Sequence, residues 1–238
     1  MSILKKGYKV LTDRFDEIRS LPLFSGISET SFSSLTRGAY VQNFPPHTEL
    51  ATEGESADFL HIVSCGTIEL FSSWTDRESC MTLLGPNSTF ILAATINDRP
   101  YLMSARTVKK TRVIMIPSED VRSVFETDVN FSRNIVSELA DCYRGSVKNM
   151  KNLKLRRSVE RLANYIVKHA KLRNTTSSLT LDVEKKKLAS FLGMTPENLS
   201  RAFASLKNHG VEVNGDTIFL HDNKKLVRFS KPNQLIDG

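Results

Sequence analysis

The sequence predicts an α+β fold in which an antiparallel β-roll precedes a long helix and a C-terminal winged helix-turn-helix. Three observations predict this fold class. Residues 39–116 consist of short apolar or alternating runs separated by turn residues, which is typical of antiparallel rolls and barrels. Residues 119–154 carry apolar side chains three and four positions apart, as in a long amphipathic helix. Residues 185–220 combine two short helical patterns with a hairpin pattern.

Length and composition limit the function classes. The chain has 238 residues, of which 40% are hydrophobic, enough for two modest domains. It has no apolar run long enough to span a membrane and no basic-then-apolar leader, so we expect a cytoplasmic protein with no membrane partner. Cys65, Cys80 and Cys142 are widely spaced, without a CxxC pair. This pattern predicts buried thiols and argues against a disulfide framework, a zinc site or an iron–sulfur cluster.

The charge of the chain is concentrated in its C-terminal part. The whole sequence has a formal net charge of +7. Residues 151–238 contain 17 Lys and Arg against 8 Asp and Glu, a balance of +9, which leaves residues 1–150 with a balance of −2. A domain-sized positive excess is typical of a surface that binds the phosphates of nucleic acid, although a solvated charged surface would also carry it.

The N-terminal pattern predicts helices that cover the roll. Residues 8–38 are helical in pieces, with a break at residues 20–26, where Pro22 and Gly26 interrupt the pattern. The apolar side chains of this segment would form a cap over the sheet; they are Leu21, Leu23, Phe24, Ile27, Phe32 and Leu35. The cap helices and the roll together would form a sensor domain over residues 1–118.

A helical pattern follows over residues 119–154. Ser118, directly after Pro117, indicates where the helix begins. Its apolar stripe could pack against the roll of the same chain or against the same helix of a second subunit. Because the roll already has its N-terminal cap, we favour the second arrangement and predict a homodimer. The predicted interface residues are Phe131, Ile135, Leu139, Cys142, Ser146 and Met150.

Residues 155–238 predict a winged helix-turn-helix. Leu188, Phe191 and Leu192 give a first short helix one apolar face before Gly193 ends it. A second helix begins with Thr195 as N-cap and Pro196 at the first helical position, and it ends at Gly210. Two strands follow around Asn214-Gly215, a pair preferred in type I′ turns, and they would form the wing.

The second of these short helices has the composition of a DNA recognition helix. Its first turn and a half carries polar side chains that hydrogen-bond to base edges and phosphates, namely Thr195, Glu197, Asn198, Ser200 and Arg201. The basic run Lys185, Lys186 and Lys187 opens the preceding helix and would contact phosphate. The partner we predict is double-stranded DNA. The alternative is a plain helical hairpin whose outer face is solvated.

The order of elements and one segment resemble a known family. Residues 192–213, LGMTPENLSRAFASLKNHGVEV, are similar to the recognition segment of the cyclic-AMP receptor protein/fumarate-nitrate regulator family of transcription factors, and the resemblance covers roughly residues 20–225. It implies a cyclic-nucleotide-binding-like jelly roll and a TGA-containing half-site read by Glu197, Ser200 and Arg201. It also implies RNA polymerase as a partner. Pro196 replaces an Arg that some members use for a further guanine contact.

The sensor domain departs from the cyclic-nucleotide-binding pattern of that family. Leu92 and Ala93 stand where the family has the Gly-Glu pair for the ribose, and Met103 stands where it has the Arg for the cyclic phosphate. A buried phosphate without a counter-charge is unfavourable, which argues against cyclic AMP as the effector. The predicted effector pocket comprises Phe90, Leu92, Ala93, Met103, Ser104 and Arg106, and its ligand is unknown.

Two further alternatives stay open at this point. Some branches of the family sense gases through haem, so haem is an alternative cofactor, with His47 or His61 as axial ligand. A second function class is a haem or small-molecule sensor whose helix-turn-helix contacts protein instead of DNA. No nucleophile–base pair, phosphate loop or metal cluster is evident in the sequence, so we do not expect an enzyme.

Overall fold

The computed structural model describes residues 15–238, without the side chain of Asp16. The chain forms two compact units, the first ending at Cys142 and the second running from Tyr143 to Gly238. The boundary lies inside one long helix. The predicted division at residues 118 and 154 stays a prediction, and the predicted helical segment 8–14 lies outside the described residues.

The first unit begins with short helices. They are α1 (Asp16–Arg19), a 3-10 turn (Pro22–Phe24) and α2 (Glu29–Arg37). The hydroxyl of Ser28 caps α2 by accepting a hydrogen bond from the Ser31 backbone N at 3.0 Å. The predicted cap is confirmed, because its apolar side chains are buried in one cluster with Leu60, Ile62, Ile114 and Ile116 of the sheet.

Within the described part of the first unit, eight strands form two antiparallel four-stranded sheets, which confirms the predicted roll. The strands are β1 (Tyr40–Phe44), β2 (Glu49–Ala51), β3 (Phe59–Cys65), β4 (Ile68–Trp74), β5 (Arg77–Leu84), β6 (Thr89–Phe90), β7 (Ser104–Thr107) and β8 (Thr111–Pro117). The strand orders are β1-β8-β3-β6 and β2-β7-β4-β5. Alternate residues of β8 enter two different cores: Ile114 packs under the cap helices, whereas Val113 packs in a second apolar cluster with residues of both sheets. A short helix, α3 (Leu92–Asn97), follows β6.

The helical segment after the roll consists of two helices, α4 (Ser118–Thr127) and α5 (Val129–Leu155). Asp128 separates them. Its carboxylate accepts hydrogen bonds from the backbone N atoms of Asn130 and Phe131 at 3.0 and 3.1 Å. These bonds satisfy amides that open α5, so the prediction of one continuous helical pattern is corrected to a capped break.

Two of the predicted interface residues are buried within their own unit. Phe131 and Ile135 lie in the core under the cap helices, and Phe131 stacks on Phe24 with ring centroids 6.2 Å apart. Neither side chain has exposed surface to offer a partner, so predicting them as dimer contacts was wrong. Leu139 is partly buried against the same core. Cys142, Ser146 and Met150 are exposed, and their role in a dimer stays a prediction.

The second unit contains the remaining elements. They are α6 (Ser158–Leu172), β9 (Ser178–Thr180), α7 (Lys185–Phe191), α8 (Pro196–Leu206), a 3-10 turn (Lys207–His209), β10 (Val211–Asn214), β11 (Thr217–Leu220), α9 (Asn223–Ser230) and α10 (Gln234–Asp237). The strands form one antiparallel sheet in the order β10-β11-β9. The predicted wing is therefore present. Its turn differs by one residue, because Asn214 pairs with Thr217 and the loop is Gly215-Asp216, with Gly215 at φ 55°.

The cysteines were predicted only partly correctly. Cys80 is buried, but Cys65 and Cys142 are exposed. Partial desolvation by neighbouring atoms, the largest cause, raises the pKa of the Cys142 thiol although the residue is exposed, and the Glu138 and Asp141 carboxylates raise it further. No helix of the described chain is long and apolar enough to cross a membrane.

Candidate nucleic-acid interface

Helices α7 and α8 pack through their apolar faces around a glycine turn. Leu188 and Ala189 of α7 are buried, and so are Leu199, Ala202, Phe203 and Leu206 of α8. Gly193 between the helices has φ 63°, in the left-handed region that favours glycine. The two helices therefore form the predicted helix-turn-helix, with the second helix starting three residues after that glycine.

An arginine from α6 holds the turn in place. Arg161 donates hydrogen bonds from Nε to the Leu192 carbonyl at 2.7 Å and from Nη2 to the Gly193 carbonyl at 3.1 Å. These bonds satisfy carbonyl groups at the end of α7 that have no helical partner. Burial lowers the pKa of the Arg161 guanidinium. No pattern in the sequence indicates this contact, because both acceptors are backbone atoms about thirty residues away in the chain.

The start of α8 is fixed by its own side chains. The Thr195 hydroxyl accepts a hydrogen bond from the Asn198 backbone N at 3.2 Å, which confirms the predicted N-cap. Pro196 occupies the first turn, where its missing N–H leaves no acceptor unpaired. The Ser200 hydroxyl donates to the Pro196 carbonyl at 3.0 Å. These two hydrogen bonds fix the first turn of α8, from which the polar side chains project.

The predicted DNA-contacting side chains of α8 all reach solvent from one part of the helix. Glu197, Asn198, Ser200 and Arg201 are exposed, whereas the opposite face of α8 is buried. A hydrogen bond from Thr195, the largest cause, lowers the pKa of the Glu197 carboxyl. Glu197 is therefore an acceptor-only carboxylate at neutral pH, the form that can accept a hydrogen bond from a cytosine amino group.

The basic run lies at the start of α7. Lys185 and Lys186 are exposed, and Lys187 is partly buried. Side chains at the start of the first helix of a helix-turn-helix lie where that helix crosses the DNA backbone. The start of α8 thus exposes polar side chains, and the start of α7 exposes lysines. A protein that contacts bases in the major groove needs both kinds of surface, one for the bases and one for the phosphates.

Two protein-family models match the chain. The Crp-like helix-turn-helix domain matches residues 160–229, which contain α7, α8 and the wing, and the cyclic nucleotide-binding domain matches residues 41–128. The chain belongs to the cyclic-AMP receptor protein/fumarate-nitrate regulator family. This is a family of transcriptional regulators that carry a helix-turn-helix DNA-binding domain.

Known proteins resemble this regulator over most of its length. The CRP-like cAMP-activated global transcriptional regulator of Mycobacterium tuberculosis is 23% identical over 212 residues, covering 87% of this chain and 95% of the relative. The structure of FixK2 from Bradyrhizobium japonicum has a TM-score of 0.72 at 19% identity, covering 82% of this chain and 98% of that one. The c-di-GMP responsive global regulator CLP of Xanthomonas campestris has a TM-score of 0.68 at 17% identity, covering 82% and 100%.

In this regulator all of the predicted effector-pocket residues except Ala93 pack against or bond to other parts of the roll. Leu92 is buried at the start of α3, and Met103 packs against the core between the sheets. The Ser104 hydroxyl accepts a hydrogen bond from the Glu53 backbone N at 2.9 Å. Phe90 is buried, while Ala93 is exposed. The assignment of these residues to an effector pocket stays a prediction.

Arg106 is already neutralised by two carboxylates. Its Nη1 donates to Glu78 at 2.9 Å and its Nε to the buried Glu69 at 2.8 Å, while its guanidinium lies 4.1 Å from the centre of the Phe71 ring. The hydrogen bond to Glu78, the largest cause, raises the pKa of Arg106. This arginine therefore serves a charge cluster on the second sheet, and a phosphate would have to compete with both carboxylates.

The two histidines considered for haem lie in different settings. His47 is exposed on a turn with φ 62°. His61 is buried on β3, stacks on Phe90 with ring centroids 4.8 Å apart, and lines a cavity that also carries Glu49, Glu55 and Asp58. Because these carboxylates carry the same charge as the propionates of a haem, the lining around His61 does not fit haem. Within residues 15–238 no cluster of three or more His, Cys, Asp and Glu side chains is placed to hold a metal ion.

Helix α5 presents an exposed apolar stripe of which the sequence analysis predicted only Met150. Val129, Val136, Tyr143 and Met150 are all exposed and follow one another at seven-residue intervals. Val136 and Tyr143 are 61% and 72% exposed. A seven-residue repeat keeps side chains on one face of a helix, as in a coiled coil. The repeat is present in the sequence. The neighbouring stripe through Phe131 and Ile135 is more apolar, and the pattern therefore favoured that stripe as the interface.

Proposed function

We propose that this regulator is a homodimer that reads a TGA-type palindromic site with α8 and responds to an effector other than cyclic AMP. The exposed start of α8 is the observation that carries the proposal. Glu197, Ser200 and Arg201 occupy the three positions that, by the family resemblance, read the TGA half-site, and all three side chains are exposed. The C-terminal charge balance of +9 supports phosphate binding on the same unit.

The exposed stripe of α5 supports the homodimer. A solvent-exposed row of valine, tyrosine and methionine along a 27-residue helix is unfavourable in water. A second copy of α5 would cover the row with an identical row, as two-fold symmetry requires. Two recognition helices would then contact half-sites about 34 Å apart, one turn of DNA.

The cassette residues support an effector other than cyclic AMP. Leu92, Ala93 and Met103 provide neither a carboxylate for the ribose nor a cation for the phosphate. The nearby Arg106 is paired with Glu69 and Glu78. Cyclic AMP at millimolar concentration should therefore leave the melting temperature and the DNA affinity unchanged, because a ligand stabilises only the state that it binds.

Fluorescence anisotropy with two labelled duplexes tests the DNA part of the proposal. One duplex carries the TGA palindrome and the other its scrambled sequence. Arg201→Ala should reduce the preference for the palindrome by about 1–3 kcal/mol, since a bidentate Arg–guanine contact supplies that much discrimination. The matched control is Arg228→Ala, which removes the same charge from an exposed position on α9.

A second pair of substitutions separates base reading from phosphate binding. Lys185→Gln with Lys186→Gln should weaken binding to both duplexes alike and flatten the salt dependence, because these side chains would contact phosphate only. Equal loss of palindrome preference in the Arg201 and Arg228 variants would contradict the assignment of α8 as the base-reading helix.

A further inference from the structure

One guanidinium group joins three segments of the second unit. Arg161 of α6 donates from Nη1 to the Leu153 carbonyl at 3.3 Å and to the Arg156 carbonyl at 2.7 Å. Its Nε and Nη2 hold the Leu192 and Gly193 carbonyls of the helix-turn-helix turn. The end of α5, the link between α5 and α6, and the turn before α8 are therefore connected through a single side chain.

Two of the acceptors lie at the carboxyl ends of helices. Leu153 is in the last turn of α5, and Leu192 is the C-cap of α7. The Arg157 N–H, which would continue α5 by bonding to Leu153, donates to the Glu160 carboxylate at 2.8 Å instead. Carbonyl groups at a helix end carry partial negative charge, so a cation between two such ends is stabilised by both. Among the described residues no carboxylate pairs with Arg161, and these carbonyls therefore balance its charge.

The side chain of Leu153 makes a second contact between the same segments. A Cβ atom at Gly193 would lie 2.7 Å from Leu153 Cδ2, so the turn has room for this leucine because residue 193 is a glycine. The last turn of α5 thus packs directly on the helix-turn-helix turn, beside the bonds from Arg161. Neither segment can rotate against the other without breaking these bonds or opening this contact.

We propose that Arg161 sets the direction in which α8 leaves the end of α5, and through it the half-site spacing that the regulator accepts. The inference rests on the proposed homodimer, in which two α5 helices pair and each carries its own α8. Arg201 lies eight residues after Gly193, about 12 Å at the helical rise. A swing of α8 by about 20° around the turn would move Arg201 by about 4 Å, more than a base-pair step of about 3.4 Å.

A structural role for Arg161 alone would have a different consequence. Damage to the turn would distort α8 and weaken binding to every duplex by the same factor. Loss of a contact that sets direction leaves α8 intact and lets the two copies reach half-sites at other separations. The ratio of affinities for duplexes of different spacing therefore distinguishes the two roles.

Fluorescence anisotropy with three duplexes measures this ratio. They carry the same two TGA half-sites, with centres separated by one turn of DNA, by one base pair more and by one base pair fewer. The wild type should prefer one separation at least about tenfold, because the wrong separation costs a base contact. Arg161→Met keeps the stem of the side chain and removes all four bonds, so it should reduce this preference to about threefold or less. Its preference for TGA over a scrambled half-site should stay unchanged.

Two further variants keep the test decisive. Arg161→Lys keeps the charge but lacks the fork that reaches two helix ends, so its spacing preference should lie between those of the wild type and Arg161→Met. It decides the test if Arg161→Met does not fold. The control Arg228→Met removes an exposed arginine from α9 of the same unit and should keep the wild-type preference.

Equal weakening on all three duplexes by the Arg161 variants, or an unchanged spacing preference, would overturn the proposal. Failure of the proposed function is seen separately, because the wild type would then bind TGA and scrambled duplexes alike. In that case hydrogen exchange without DNA decides the matter. Arg161→Met should speed exchange both in the last turn of α5 and in the turn before α8, and faster exchange in only one of them would refute the connection.

Discussion

Protonation of His61 is expected to destabilise the first unit as the pH falls. Burial lowers the pKa of His61 from 6.5 to about 4. Between these values the unfolded chain binds a proton that the folded chain excludes, so the free energy of unfolding decreases as the pH falls. The contribution of this group is complete above pH 6.5 and is lost progressively down to about pH 4. The burial of β3 between the cap helices and the second sheet is the physical cause.

The magnitude follows from the two pKa values. Their difference corresponds to about 3 kcal/mol of unfolding free energy once the pH is below both. At pH 5, where acid denaturation of other groups is less severe, the expected loss relative to pH 8 is about 2 kcal/mol. His61→Phe should remove this dependence, because phenylalanine keeps the aromatic stacking on Phe90 and has no proton to bind.

Urea unfolding at pH 5 and pH 8 measures the effect. Far-ultraviolet circular dichroism follows the loss of secondary structure, because Trp74, the one tryptophan of the sequence, is already 81% exposed in the folded chain. The wild-type chain should lose about 2 kcal/mol more between the two pH values than His61→Phe does. His47→Asn is the control, since it removes the exposed imidazole of the same unit on a turn where asparagine tolerates positive φ. Identical pH dependence in wild type and His61→Phe would refute the reasoning.

The remaining predictions concern α5 and the end of the chain. Val136→Asp places a charge on the exposed stripe and should yield a folded monomer in sedimentation, while Ser137→Asp, an exposed neighbour off the stripe, should stay dimeric. Ile135→Asp buries a charge in the core and should instead lower the thermal unfolding midpoint of the first unit. Arg156→Ala removes two hydrogen bonds of 2.6 Å to Asp237 from an arginine side chain that is only 9% exposed, and it should lower the free energy of unfolding by about 1–3 kcal/mol. Hydrogen exchange in α10 should become faster in this variant. Unchanged exchange would contradict the prediction.

Local signals were sufficient for most of the fold. Thr195 marks where α8 starts, and Gly210 ends the 3-10 turn that extends it beyond Leu206. The buried side chains on the other face of α8 determine which residues reach solvent. The candidate DNA-binding side chains could therefore be predicted from short-range spacing alone. The wing was predicted for the same reason, and its turn was misplaced by one residue because Asn-Gly and Gly-Asp are both acceptable two-residue loops.

Features that depend on distant parts of the chain could not be predicted in this way. The cavity in the roll joins residues from β1 to β8, so Glu49, Glu55, Asp58 and His61 line it together only after the sheets form. The pairing of Arg106 with Glu69 and Glu78 is likewise a product of strand register, with Glu69 opposite Arg106 on β4 and β7. Sequence patterns assign such residues to strands without indicating which charges meet.

The exposed stripe on α5 shows why burial must be known before an interface can be proposed. Ile135 and Val136 are adjacent in sequence and about 100° apart around the helix. Periodicity favours the stripe through Ile135 because it is more apolar, yet the cap helices cover that stripe within the same chain. What a second subunit can contact is the next stripe, which begins at Val129 and continues through Val136 and Tyr143. A helix that serves two partners carries two apolar faces, and the less apolar of them is the one that remains for association.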